Sequence, residues 1–151
     1  MGLRPQPFFF LRNRFTVFWL SCRVYALLMM KYYLDEIIRG EKTTDARLYP
    51  TDIRGTIALG DSSTSKVYAL ADLTACEEIS YEEFVRWHRT GPFADVEFAP
   101  YHEGKTCYSY VLGNLRALPV PVRIENPSGN RMWVQVPDKT VRNFFSQQTL
   151  F

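Results

Sequence analysis

Apolar residues recur at helical spacing near the start of the chain and in shorter runs after it. The helical set has intervals of three and four residues, typical of a helix with one buried side. Gly40 follows, and a glycine there can take the left-handed conformation that ends a helix. A strand over residues 23–28 is expected before this helix. The apolar face of the helix consists of Met29, Met30, Tyr33, Leu34, Ile37 and Ile38.

Strand patterns dominate the rest of the chain. Segments rich in β-branched and aromatic residues alternate with Gly, Pro, Asn and Asp turns, as expected for short strands. Lys66–Leu73 is apolar on both faces, which predicts a central strand. Gly113-Asn114 is predicted to be a turn. The other expected strands are 43–49, 56–59, 107–112, 115–118, an extended edge at 119–122, and 132–136.

Two further helices are predicted in the second half of the sequence. Ser80 and Glu83 have the spacing of a capping box, which starts a helix running to about His88. Asp138 is placed to cap a short terminal helix. Residues 90–105 show no periodicity and are expected to form a long loop. About six short strands with two flanking helices predict a small mixed β-barrel of the α+β class.

Composition indicates one globular domain. The chain has 151 residues, 46% of them hydrophobic and 23% charged, and this length fits a single core. Its three cysteines lack CxxC spacing and its two histidines are isolated, so neither a disulfide framework nor a metal site is expected. Absence of a disulfide pattern favours a reducing, cytoplasmic compartment. No cofactor-binding loop follows any predicted strand, and no cofactor is expected.

Charge is distributed unevenly along the sequence. Residues 1–34 contain five basic residues and no acidic one, while 13 basic and 16 acidic residues give residues 35–151 a net charge of −3. That balance disfavours duplex DNA. Residues 1–22 are expected to be a poorly ordered extension, with import into an organelle, a secretory signal, or sequence upstream of the true start as alternatives. Their apolar run is too short for a membrane helix.

The junction after the first helix carries the most specific motif, Gly-x-Lys-x-x-Asp-x-Arg over residues 40–47. Alternation along a strand puts Asp45 and Arg47 on one face and Thr44 on the other. The motif resembles the signature of the ASCH (activating signal cointegrator homology) family, a PUA-like β-barrel superfamily associated with RNA, in which Glu usually occupies the Asp45 position. The resemblance extends over residues 23–136 and includes the segments 108–112 and 118–122 and the spacing of Gly129 and Trp133.

This resemblance implies a PUA-like domain over residues 23–137, followed by a tail at 138–151, and a cleft that binds single-stranded RNA or a modified nucleotide. Predicted ligand-contacting residues are Gly40, Lys42, Thr44, Arg47, Tyr108 and Tyr110. Each has a structural alternative: strand aromatics are often core residues, a turn lysine is often solvated, and Asp45 with Arg47 can form a structural ion pair. An exposed pair of that kind stabilises by only ~0–1 kcal/mol.

Two other functions remain open from the sequence. A bacterial branch of the ASCH family contains N4-acetylcytidine amidohydrolases, which use a Lys, a Thr three residues later and a Glu further on. Lys42 matches and would act as a general base, but Asp45 occupies the Thr position. The family's Glu follows a His by four residues, and if His88 is that His, Pro92 occupies the Glu position. Lys42 and Asp45 are the catalytic candidates under that hypothesis. A protein-interaction module is the third possibility, and the sequence leaves the oligomeric state open.

Overall fold

The computed structural model describes residues 23–97, 104–129 and 132–148. Within these ranges a six-stranded mixed sheet is accompanied by three α-helices and one 3₁₀ turn. The elements in chain order are β1 (Tyr25–Met29), α1 (Lys31–Ile38), β2 (Thr44–Arg47), β3 (Gly55–Asp61), β4 (Lys66–Ile79), α2 (Tyr81–His88), the 3₁₀ turn (Gly91–Phe93), β5 (Cys107–Arg123), β6 (Trp133–Gln135) and α3 (Asp138–Gln148).

The strand order across the sheet is β2-β5-β4-β3-β1-β6. β1 pairs with β3 in parallel, and every other neighbouring pair is antiparallel. β4 lies between β3 and β5, as its apolar sequence predicted. β2 and β6 are the two edge strands, so the motif strand β2 begins one end of the sheet.

Two contacts show that this sheet is strongly curled. Tyr110 of β5 and Trp133 of β6 stack with their ring centroids 6.2 Å apart. Arg47 of β2 donates a hydrogen bond to the carbonyl of Leu28 in β1 at 2.8 Å. Each pair of strands is four positions apart in the strand order, a separation of about 19 Å on a flat sheet. The sheet therefore bends into a half-barrel, which confirms the predicted fold class.

Each face of the sheet contributes to a buried cluster. Alternate residues of β1 point to opposite sides, so Leu28 lies in a cluster with Phe144 of α3, whereas Leu27 lies in a cluster with Leu34 of α1. A third cluster packs Phe84 of α2 near the β2 edge. Helices thus cover the sheet from both sides, and α2 lies beside the motif strand.

Several predicted boundaries differ from the structure. Met30 has an extended backbone with ψ 139°, so the helix predicted from Met29 begins at Lys31 and Met29 belongs to β1. The predicted strands 107–112, 115–118 and 119–122 form the single strand β5. Asn114 has a φ of 48° and the pairing of β4 with β5 shifts register there, so the predicted turn is instead an irregularity inside one long strand.

The capping box is present as predicted. The Ser80 hydroxyl accepts a hydrogen bond from the Glu83 amide at 3.1 Å, and the Glu83 carboxylate accepts one from the Ser80 amide at 3.4 Å. The predicted extension at 1–22 and the middle of the predicted 90–105 loop lie outside the described residues. No helix within the described ranges has the length and apolar character needed to cross a bilayer.

Candidate functional site

A cavity of about 390 Å³ lies where the curled sheet brings β2 close to β1. We call it the seam cavity. β1 and the residue after it supply Met29 and Met30, while β2 supplies Asp45 and Arg47. Helices close the remaining sides through Tyr33, Phe84 and His88. The cavity is therefore a product of sheet curvature, and two residues of the sequence motif form part of its wall.

The motif pair Asp45–Arg47 is buried rather than exposed. Arg47 Nε donates to Asp45 Oδ2 at 2.5 Å, and the two side chains are 17% and 4% exposed, respectively. Arg47 Nη2 donates to the Leu28 carbonyl, so one guanidinium links both strands that border the cavity. The expectation that this pair is exposed is therefore wrong.

Tyr33 and His88 give the cavity an uncharged aromatic wall. The Tyr33 hydroxyl donates to the His88 carbonyl at 2.7 Å, and His88 Nδ1 bonds the Phe84 carbonyl at 2.8 Å, which requires a proton on that nitrogen. Burial lowers the pKa of His88 below its usual value. Burial, with smaller contributions from nearby charges, raises the pKa of Tyr33 to about 12. Both rings are therefore neutral near pH 7.

Acidification should destabilise the protein through His88. Because its pKa is lower in the folded state than its usual 6.5, the unfolded chain takes up the proton first as the pH falls. The free energy of unfolding should thus decrease just below pH 6.5. Urea unfolding at pH 7 and pH 5.5 tests this. His88→Gln should show a smaller pH effect, with His102 present in both proteins; an unchanged pH effect would contradict the assignment.

The remaining polar motif residues line a different cavity. Lys42 and Thr44 border a space of about 380 Å³ together with Glu36, Thr90 and residues of α2. We call it the Lys42 cavity. The Lys42 ammonium lies 4.7 Å from the centroid of the Tyr33 ring, which lines the seam cavity. Alternation along β2 separates Asp45 and Arg47 from Thr44, as predicted.

Gly40 has a structural role in the backbone between α1 and β2. Its φ is +78° and its amide donates to the Ile37 carbonyl at 3.0 Å, so it ends α1 in the left-handed conformation. Tyr110 is 0% exposed, and its hydroxyl donates to the Tyr49 carbonyl at 2.7 Å. The structure thus places Tyr110 in the core, corresponding to its structural alternative. Tyr108, half-buried, packs against the same core cluster.

Several residues of the seam cavity are not indicated as site residues by the sequence. Tyr33 lies on the apolar face of α1, where the pattern predicts helix packing, and His88 lies at the end of α2 as an isolated histidine. Met30 immediately follows β1 and is 49% exposed. The polar groups of Tyr33 and His88, a phenol and an imidazole on otherwise apolar helix faces, are the sequence feature that could have indicated these two residues. Across the part of the chain that the structure describes, no group of three metal-ligating side chains is present.

The curled half-barrel resembles the fold of solved ASCH-domain structures, and the predicted small mixed barrel of the α+β class is confirmed. Three similar solved structures are of ZmASCH from Zymomonas mobilis. Its S-to-A variant has a TM-score of 0.60 at 15% identity, covering 82% of this chain and 94% of that one. Its Y-to-F variant has a TM-score of 0.58 at 13% identity, covering 83% and 98%.

The unsubstituted ZmASCH structure has a TM-score of 0.55 at 15% identity, again covering 82% of this chain and 94% of that one. No family model matches the sequence, and no curated protein is significantly similar to it. At these identities the likeness establishes the shared fold, while the ligand must be argued from the side chains of this chain.

Proposed function

We propose that this protein binds a nucleotide or a short single-stranded RNA segment and holds one base in the seam cavity. The observation that carries the proposal is the buried Asp45–Arg47 pair facing neutral aromatic and thioether side chains in one open cavity. Ligand sites generally combine a mostly apolar lining with a few fixed polar groups. The seam cavity has that composition.

The polar pair suits the edge of a nucleobase. Asp45 offers carboxylate oxygens as acceptors, and Arg47 offers guanidinium N–H groups as donors. Arg47 is held by Asp45 and by the Leu28 carbonyl, so its orientation is fixed before a ligand arrives. A fixed donor and acceptor lose little conformational entropy on binding.

The aromatic wall suits the face of the same base. Sequence-specific RNA recognition mostly uses unpaired bases that stack on aromatic side chains and hydrogen-bond along their edges. Tyr33 and His88 are uncharged near pH 7 and line the cavity with Met30. The net charge of −3 over residues 35–151 favours such local recognition over extended contact with a phosphate backbone.

The amidohydrolase alternative has weaker support from the geometry. Lys42 and Asp45, its two catalytic candidates, line different cavities. Asp45 is engaged by Arg47, and the Lys42 ammonium lies over the Tyr33 ring. Release of cytidine from N4-acetylcytidine at high protein concentration would support amidohydrolase activity.

Filling the seam cavity should weaken the proposed binding without unfolding the protein. Met30 lines the cavity and is half exposed, so Met30→Trp can place an indole across the opening. We expect about 10–100-fold weaker binding of a fluorescent single-stranded oligonucleotide, since a stacked base contributes ~1–3 kcal/mol. Fluorescence anisotropy at fixed salt measures the change.

Val120→Trp provides the matched control. Val120 is 63% exposed and does not line the seam cavity, so the same added indole should leave affinity unchanged. Equal affinities for the unsubstituted protein, Met30→Trp and Val120→Trp would refute the seam cavity as the site. Absence of binding by the unsubstituted protein would refute the proposed function itself.

A further inference from the structure

The residues lining the Lys42 cavity include several buried polar atoms that lack a hydrogen-bond partner. Across the described residues, only three buried side-chain nitrogen or oxygen atoms have no hydrogen-bond partner: Glu36 Oε1, Lys42 Nζ and Thr90 Oγ1. All three residues line this one cavity. Glu36 comes from α1, Lys42 from the loop before β2 and Thr90 from the segment after α2, so three separate segments converge there.

This arrangement is unfavourable for the protein alone. A buried polar group without a partner retains the desolvation cost of leaving water, and a charged group retains more. Glu36 and Lys42 form no ion pair within the described ranges, although nearby Arg39 is paired with Glu41. The Lys42 ammonium instead rests over the Tyr33 ring. A carboxylate, an ammonium and a hydroxyl at one cavity are therefore available to a ligand.

We propose that the Lys42 cavity is a second nucleobase site and that it selects guanine. Guanine presents donors at N1 and N2 beside an acceptor at O6. Glu36 can accept from those donors, and Lys42 can donate to O6. The pair favours guanine over adenine, because adenine has no N–H at N1 and no amine at C2, and it carries an amine donor where guanine has the O6 acceptor. Recognition of an unpaired base along its Watson–Crick edge is typical of single-stranded RNA binding.

Other residues of the cavity support this ligand class. Trp87 supplies an aromatic side chain to the lining, and indole is suited to stacking on a base. Arg86 also lines it, with its side chain 71% exposed, where it can contact the phosphate of the bound nucleotide. The terminal torsion of Glu36 is broad, so rotation about it can turn a carboxylate oxygen towards the cavity, and Lys42 can move its ammonium by changing between staggered rotamers.

The inference rests on the proposed nucleotide binding, because it assigns a base to a second cavity of the same RNA-binding protein. Isothermal titration with GMP, IMP and AMP tests it. IMP lacks the N2 amine and AMP lacks both the amine and the O6 acceptor. The unsubstituted protein should bind GMP most tightly, and Glu36→Gln should reduce the preference for GMP over AMP by about tenfold or more.

Glu41→Gln is the matched control, because Glu41 borders the same cavity but is exposed and paired with Arg39. It should keep the guanine preference. Glu36→Leu should lose that preference while raising the melting temperature, since it removes a carboxylate whose Oε1 atom is buried without a hydrogen-bond partner; this separates loss of recognition from loss of folding. A guanine preference that survives Glu36→Gln, or equal binding of all three nucleotides, would overturn the inference and leave the proposed function standing. Absence of binding by all three nucleotides would also overturn the inference, whereas the proposed function is decided separately by the oligonucleotide titration.

Discussion

Arg47→Ala is expected to lower the free energy of unfolding by about 3–5 kcal/mol, the usual cost of breaking a buried ion pair by removing one partner. Asp45 is 3% exposed, so the substitution leaves its carboxylate in the interior without the guanidinium. It also removes the hydrogen bond to the Leu28 carbonyl. Urea denaturation monitored by tryptophan fluorescence measures the loss, which is a large share of a typical domain stability of ~5–15 kcal/mol.

Arg39→Ala is the matched control for this experiment. Arg39 forms an ion pair with Glu41 at 2.9 Å, but the two side chains are 53% and 56% exposed, so removing it should leave stability nearly unchanged. Replacing Asp45 and Arg47 together by Ala should cost less than Arg47→Ala alone, since no buried charge then lacks a partner. A single Arg47→Ala variant as stable as Arg39→Ala would contradict the importance of burial.

The position of Arg47 also explains why structural and ligand roles are compatible. Its Nε and Nη2 atoms are used by Asp45 and Leu28, and the side chain still lines the seam cavity. A guanidinium has five N–H donors, so two bonds do not exhaust it. The pair therefore links β2 to β1, and Arg47 still has donors left for the ligand contact that we propose.

Local signals predicted the elements of the fold well. The Ser80–Glu83 box marks the start of α2 because its two hydrogen bonds lie within one turn, and Gly40 marks the end of α1 for a similarly local reason. The apolar character of 66–73 predicted a central strand because a strand between two others is buried. These features depend on a few neighbouring residues, and such features can be identified from sequence.

The length of β5 depends on a distant partner and was not predicted. Gly113-Asn114 has the composition of a turn, but β4 continues beside it and supplies pairing partners on both sides of the irregularity. Asn114 takes the left-handed conformation within the strand. Local composition alone therefore cannot distinguish a hairpin from a bulge, because the partner strand decides between them.

The candidate site was predicted only in part for the same reason. Alternation correctly separated Asp45 and Arg47 from Thr44, because a strand fixes that geometry locally. Joining β2 to β1 across a cavity requires the curl of the whole sheet, which no short segment encodes. Tyr33 and His88 come from two helices, and their ring centroids lie 5.1 Å apart only in the folded protein.

α3 is tied to the sheet by both apolar and polar contacts. Val141 and Phe144 are buried in the cluster that contains Leu28. Gln147 pairs with the backbone of Val120 in β5, accepting from its amide at 3.0 Å and donating to its carbonyl at 3.1 Å. A side-chain amide thus takes the place of a neighbouring strand at this edge of β5. The sequence predicted a short terminal helix in this region, and its packing makes it integral to the core.

Phe144→Ala is expected to lower the free energy of unfolding by about 3–5 kcal/mol, because a fully buried aromatic ring is removed and a cavity remains. Phe144 is 0% exposed. Phe145 is only partly buried beside the same cluster, so Phe145→Ala should cost clearly less and serves as the adjacent control. Thermal and urea unfolding of both variants would measure the difference. Equal, small losses would mean that α3 adds little to the core, whereas the expected contrast would show that it folds with the sheet.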